Sequence, residues 1–200
     1  MTEEFQLLAQ PWWVNLLVLI PIGGFWWWRT PGLRLPAWQL GLLTIWAAAF
    51  GFVEAAVVVY LRALVGALLG YEPTFSGIAR LSVDVANKPL VALPRDVLLL
   101  ETSREAATMI MLLTLALLVA RAWKERSACF LWAFAVWDLC YYLGLRLTIR
   151  WPSSFTTPDI LFLIPEPWVA QVWFPTLVST LTLLAVLRSR LPDASLPSAS

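Results

Sequence analysis

The chain has 200 residues, 60% apolar and only 14% charged, where an ordinary soluble domain is roughly half apolar and a quarter charged. Its mean hydropathy of +0.74 makes lipid the solvent that the composition fits, and a net charge of +1 with no long basic run excludes nucleic acid as a partner. There is no histidine, so haem and histidine-ligated metals are not expected, no cofactor is called for, and any chemistry falls to carboxylates, Tyr, Lys, Arg or hydroxyls.

About 20 apolar residues are needed to cross a hydrocarbon core of roughly 30 Å. Five segments approach that length, which predicts an all-α, polytopic transmembrane bundle over residues 1–190 and a disordered tail at 191–200. The acidic "MTEEF" precedes the first span, so that span is expected to be retained rather than cleaved as a signal peptide. It covers 12–28, "WWVNLLVLIPIGGFWWW", with tryptophans at both ends where an aromatic belt belongs and Pro21 placed to kink it. The second begins near Trp38, crosses by about Arg62 and stays helical in pattern to about Leu69, so it should tilt or project. A polar loop with Pro73, Pro89 and Pro94 follows, between Gly70 and Asp96. The third span, 97–120, contains "ETSREAAT"; the fourth is 128–149 and the fifth 168–187. Cys129 and Cys140 lie about 16 Å apart along the fourth helix, too far to bridge.

Basic residues in the short connections set the orientation. Arg29 and Arg34 follow span one, Arg121, Lys124 and Arg126 follow span three, and Arg188 and Arg190 follow span five. A five-span chain puts these segments on one side, the cytoplasmic one, with the N-terminus outside and the C-terminus inside. The protein is thus expected in a cell membrane as a multi-pass chain.

Length traps charge inside the spans. If Glu101, Arg104 and Glu105 were excluded from the third, the remaining fifteen residues would reach only about 22 Å and could not cross. The same argument holds Glu54 inside span two and Asp138 inside span four. Counting about 1.5 Å per residue from the cytoplasmic ends, Glu54, Arg104, Glu105, Tyr142 and Gln171 fall at roughly 21 to 24 Å and Arg146 near 27 Å. Helical spacing puts Glu101, Arg104, Glu105 and Thr108 on one face, Asp138, Tyr141, Tyr142 and Arg146 on another, and Glu54 and Arg62 two turns apart on a third. Charges cost about 2.5 to 3.5 kcal/mol each in lipid, so they should converge inside the bundle. Four acids against Arg62, Arg104 and Arg146 leave one carboxylate over, and Asp138, deepest and farthest from the arginines, is expected to hold the extra proton or cation.

Pro165 and Pro167 flank Glu166 and forbid a helix there, so the apolar strip Ile160 to Ile164 should dip toward the bilayer and turn back, with Glu166 as a lid candidate. Most tryptophans sit at predicted span ends, where anchoring explains them. The hydroxyls Thr176, Ser179, Thr180 and Thr182 read as interhelical glue.

The strings "EAAVVVYLR", "ETSREAAT", "WDLCYY" and "DILFLIPEPW" resemble those of bacterial integral-membrane proteins with no assigned activity, which implies a bacterial inner-membrane location and nothing of function. Five helices and many Trp are also similar to the tryptophan-rich sensory proteins, but their Trp/Pro motifs do not align, so tetrapyrrole binding is not carried over. Membrane cyclases of carotenoid biosynthesis are similar only in using acids without His. Three functions fit the residues: a pocket that binds or transports a small solute, ion or proton; an intramembrane enzyme on a lipid or isoprenoid, with carboxylate acid and base; and an accessory subunit whose network only packs. Beyond the bilayer, the expected partners are a lipid or small-molecule ligand, and a second copy or a membrane-complex partner, since the chain is short for an inverted-repeat transporter.

Overall fold

The computed structural model of the chain describes residues 7–68, 74, 76 and 95–192. The polar loop expected between Gly70 and Asp96 lies almost wholly outside the described residues, as do residues 193–200 of the tail. A 3₁₀ helix, Trp12–Val18, runs into α1 (Leu19–Trp28) and is followed by α2 (Ala37–Leu68), α3 (Arg95–Val119) and α4 (Trp123–Ile149). A hairpin of β1 (Pro158–Phe162) and β2 (Trp168–Gln171) then leads to α5 (Trp173–Ser189). Helices α2, α3 and α4 are each long and apolar enough to cross a membrane, while Trp12–Trp28 and α5 are shorter apolar helices. The outward faces are apolar too: Leu118, Leu147, Trp12 and Ile45 are among the many large exposed side chains. Helices apolar on all sides fit an integral membrane protein, because such a surface in water would drive association.

Helix α4 is the centre of the bundle and packs against α2, α3 and α5, while α1 lies along α5. The approach of α2 to α4 is set by glycine. A Cβ on Gly51 would stand 2.5 Å from the Trp137 carbonyl oxygen, and one on Gly144 would stand 2.8 Å from the Ala55 Cβ. Small residues let helix backbones close on each other in lipid, where no hydrophobic force drives helices together. At one end of the bundle the three basic segments meet. Leu33 N–H donates to the Ser189 carbonyl at 2.8 Å, Leu191 N–H to Leu33 at 3.0 Å, and Lys124 Nζ to the Thr30 carbonyl at 2.7 Å. The hairpin lies at the other end, after α4 closes on Arg150 in the left-handed conformation (φ 58°).

Several expectations change. The fold is helical but not all-α, because residues 158–162 pair antiparallel with 168–171, with Asp159 opposite Ala170 and Ile160 opposite Val169. The fifth helix therefore starts at Trp173, not Trp168, since 168–171 are extended and Gln10 bridges the free edge of β2 at Val169. Pro21 sits in the first turn of α1, just after the 3₁₀ segment ends. The fourth helix begins at Trp123, five residues before the expected start. Cys129 and Cys140 are free, as their spacing requires.

Candidate functional site

The trapped charges of α2 and α3 meet. Arg104 forms an ion pair with Glu54 across the two helices, and its other face is taken by Glu101, whose Oε2 accepts from Nε at 3.0 Å. The i, i+3 spacing on α3 brings Glu101 to the guanidinium, while Glu54 is supplied by the neighbouring helix. Glu54, only 5% exposed, also accepts the Thr108 hydroxyl at 2.7 Å through its second oxygen. Glu105, one residue on, turns elsewhere: its Oε2 accepts the backbone N–H of Leu163 at 2.8 Å, just past β1.

Helix α4 supplies the opposite wall. Asp138, 8% exposed, accepts the Ser179 hydroxyl of α5 at 2.7 Å, a contact that in lipid substitutes for water. Tyr142 donates its hydroxyl to Asp159 Oδ2 at 2.8 Å, tying α4 to β1. Arg62, at the far end of α2, lays its guanidinium 4.0 Å from the centroid of the Trp151 ring, and its Nη1 is fully buried without a hydrogen-bond partner. Burial pushes the Asp159 carboxyl up to about 6, against the pull of Arg62, the Tyr142 hydroxyl and the Ile160 amide.

These groups surround one cavity of about 370 Å³, and eight of the ten sequence candidates line it: Glu54, Arg62, Glu101, Arg104, Glu105, Asp138, Tyr141 and Tyr142. The volume falls in the range of ligand pockets, roughly 300 to 1,000 Å³. Two candidates stand apart. Arg146 donates through Nη1 to the Arg150 and Pro152 carbonyls, at 2.8 Å each, because α4 ends three residues later and leaves carbonyls for a nearby cation to cap. Gln171 is buried at the end of β2 and accepts from Trp173 Nε1 at 3.0 Å; the depth expected of it assumes a helix at 168–171, where the chain is extended. Glu166 is exposed at the hairpin tip and does not line the cavity, but Ile160 to Leu163 of the same strip do.

Asp159 is the functional candidate that the sequence reading passed over. Its signal was a lone carboxylate opening an apolar strip, missed because the strip lies outside the helical spans. With Asp159 in and Arg146 out, five carboxyl groups face two guanidinium groups, a larger acid surplus than the single one expected. Several exposed tryptophans, Trp12, Trp26, Trp27, Trp38 and Trp123, lie near helix ends, but three others do not serve as anchors. Trp137, Trp151 and Trp168 line the cavity rather than a belt, and their indole N–H groups are buried without partners. Among the described residues no three Asp, Glu or Cys side chains lie close enough to hold one metal ion. No family model, curated protein or solved structure matches this chain.

Proposed function

We propose that the chain is a five-span protein of the cell membrane, a bacterial inner membrane by its resemblance, and that it binds a small solute in the cavity between α2, α3, α4 and the hairpin. The first short segment is long enough for this reading, and α5, 17 residues or about 26 Å, covers most of the core. Seven 3₁₀ residues at about 2 Å and ten α residues at about 1.5 Å bring Trp12–Trp28 close to the roughly 30 Å core. The basic segments gather at one end, and the positive-inside bias makes that end cytoplasmic, with the N-terminus and hairpin outside and the C-terminus inside.

One observation carries the binding role: eight charged or hydroxylated candidates from three helices open onto shared space. A network that only fixed helix pairing would close around its own hydrogen bonds and leave no void, because an unfilled polar cavity costs both packing and solvation. The Tyr142–Asp159 hydrogen bond favours a second reading, an intramembrane enzyme acting on a lipid or isoprenoid, since it places a proton donor against a carboxylate in the cavity wall.

The test is a thermal-shift screen of the purified protein in maltoside detergent against small cationic, anionic and neutral solutes. At least one should raise the melting temperature. Val58→Phe, which adds apolar volume to the cavity wall without removing a polar partner, should abolish that rise. A screen in which no solute stabilises, or in which Val58→Phe keeps the full effect, overturns the reading; turnover of an added lipid would select the enzyme.

A further inference from the structure

The charge inventory of the cavity is unbalanced in a specific place. Arg104 is shared by Glu54 and Glu101, and Arg62 lies beside Asp159. Asp138 is left with no cation, and Glu105 makes no ion pair, only a longer-range attraction to the Arg104 that Glu54 and Glu101 already hold. Each has a single neutral donor, the Leu163 amide and the Ser179 hydroxyl, and each is 8% exposed. An uncompensated buried carboxylate is a standing cost that a bound positive charge removes.

The wall is built for the same charge. Trp137 stacks on Tyr141 with ring centroids 6.2 Å apart and lies 6.5 Å from Phe162 of the hairpin; Phe162 in turn packs 5.2 Å from Trp168. Ring faces carry partial negative charge and attract ammonium groups, most strongly for Trp and in desolvated sites. Trp137 and Trp151, 8% and 3% exposed, also line this cavity, and their unpartnered N–H groups are donors that ask for an acceptor elsewhere on the ligand rather than for the cation itself. A hard inorganic cation takes six or more oxygen ligands, and no trio of acids converges here among the described residues. An anion would add to the surplus, and a neutral solute would leave both acids unmatched.

We infer that the cavity selects an organic cation, an amine or quaternary ammonium group carrying an apolar body, with Glu105 and Asp138 as counter-charges and Trp137 and Phe162 as the cation–π surface. This rests on the reading of the cavity as a binding site. Such a head could belong to a free amphiphilic amine or to a choline lipid, and the chemistry recognised is shared.

The experiment titrates the full chain in dodecyl maltoside, whose headgroup carries no ammonium, and follows tryptophan fluorescence. The probes are hexyltrimethylammonium, hexanol, hexanoate and lysophosphatidylcholine. Hexyltrimethylammonium should bind roughly tenfold or more tighter than hexanol or hexanoate, a factor worth about 1.4 kcal/mol. That preference should shrink severalfold in Asp138→Asn and in Glu105→Gln, and stay unchanged in Arg146→Gln, outside the cavity. The probe comparison in the unaltered protein stands even if a variant fails to fold. Lysophosphatidylcholine binding as tightly as the free ammonium assigns the cation to a lipid head; weaker binding assigns it to a free amine. Hexanol or hexanoate binding as well as the ammonium overturns the cation class and leaves the cavity reading standing, whereas silence from every probe together with a silent solute screen removes both.

Discussion

The carboxylate of Glu105 in α3 accepts the backbone N–H of Leu163 at 2.8 Å, so a membrane-length helix holds the hairpin that closes the cavity through one charged acceptor. Hydrogen bonds to charged groups contribute more than neutral ones, and a buried N–H left without an acceptor costs about 1 to 3 kcal/mol. Glu105→Ala should therefore speed hydrogen exchange at the Leu163 amide and at the β1–β2 pairs while leaving α4 protected. Unchanged exchange at Leu163 would mean that the acid does not anchor the hairpin.

Arg104→Met should destabilise the protein by about 3 to 5 kcal/mol, because it strands buried acids. The ion pair runs to Glu54 and Glu101 and not to Glu105, so adding Glu54→Gln should recover more of the loss than adding Glu105→Gln. A double-mutant cycle by denaturation in detergent measures this, and equal recovery by the two partners would contradict the observed pairing.

Gly51→Ala should cost about 1 to 3 kcal/mol as overpacking, since its Cβ would meet the Trp137 backbone. Gly41 has nothing within 4 Å of a Cβ, and Gly41→Ala on the same helix should be neutral or slightly stabilising. Melting temperatures of the pair check the contact; similar values would mean that α2 and α4 are not apposed at Gly51.

Asp159 predicts a pH dependence. Its carboxyl is raised from 3.8 to about 6 by burial, so between those values the folded chain keeps a proton that the unfolded chain has released. The stabilisation is full below about pH 4 and is lost as pH rises through 6, at most about 3 kcal/mol for two units. Melting curves of Asp159→Asn against the unaltered protein from pH 4 to 7 should differ in slope, with the variant flatter. A steeper variant would reverse the sign.

Single cysteines at Lys124→Cys and Glu166→Cys, with Cys129 and Cys140 replaced, test the orientation. The first should label only after the cytoplasmic side is opened, the second in intact cells. Labelling of both from one side would end the five-span reading.

Composition and the length argument determined that the chain carries helices long and apolar enough to cross a membrane and that Glu54, Glu105 and Asp138 are buried, because hydropathy and span length are properties of contiguous sequence. Helical spacing likewise made the α3 face legible, since i, i+3 and i+4 neighbours do not depend on the rest of the fold. The Arg104–Glu101 pair is local, an i, i+3 contact on α3, but the Arg104–Glu54 pair is not: it exists because the glycine-set packing of α2 on α4, and of α3 beside them, brings Glu54 within reach. The hairpin, and with it Asp159 in the cavity wall, was decided by strand pairing between 158–162 and 168–171, a contact across a proline-rich turn that no helical period encodes. Arg146 and Gln171 left the site for the same reason: where α4 stops and where α5 starts depend on backbone partners supplied by that turn of the chain.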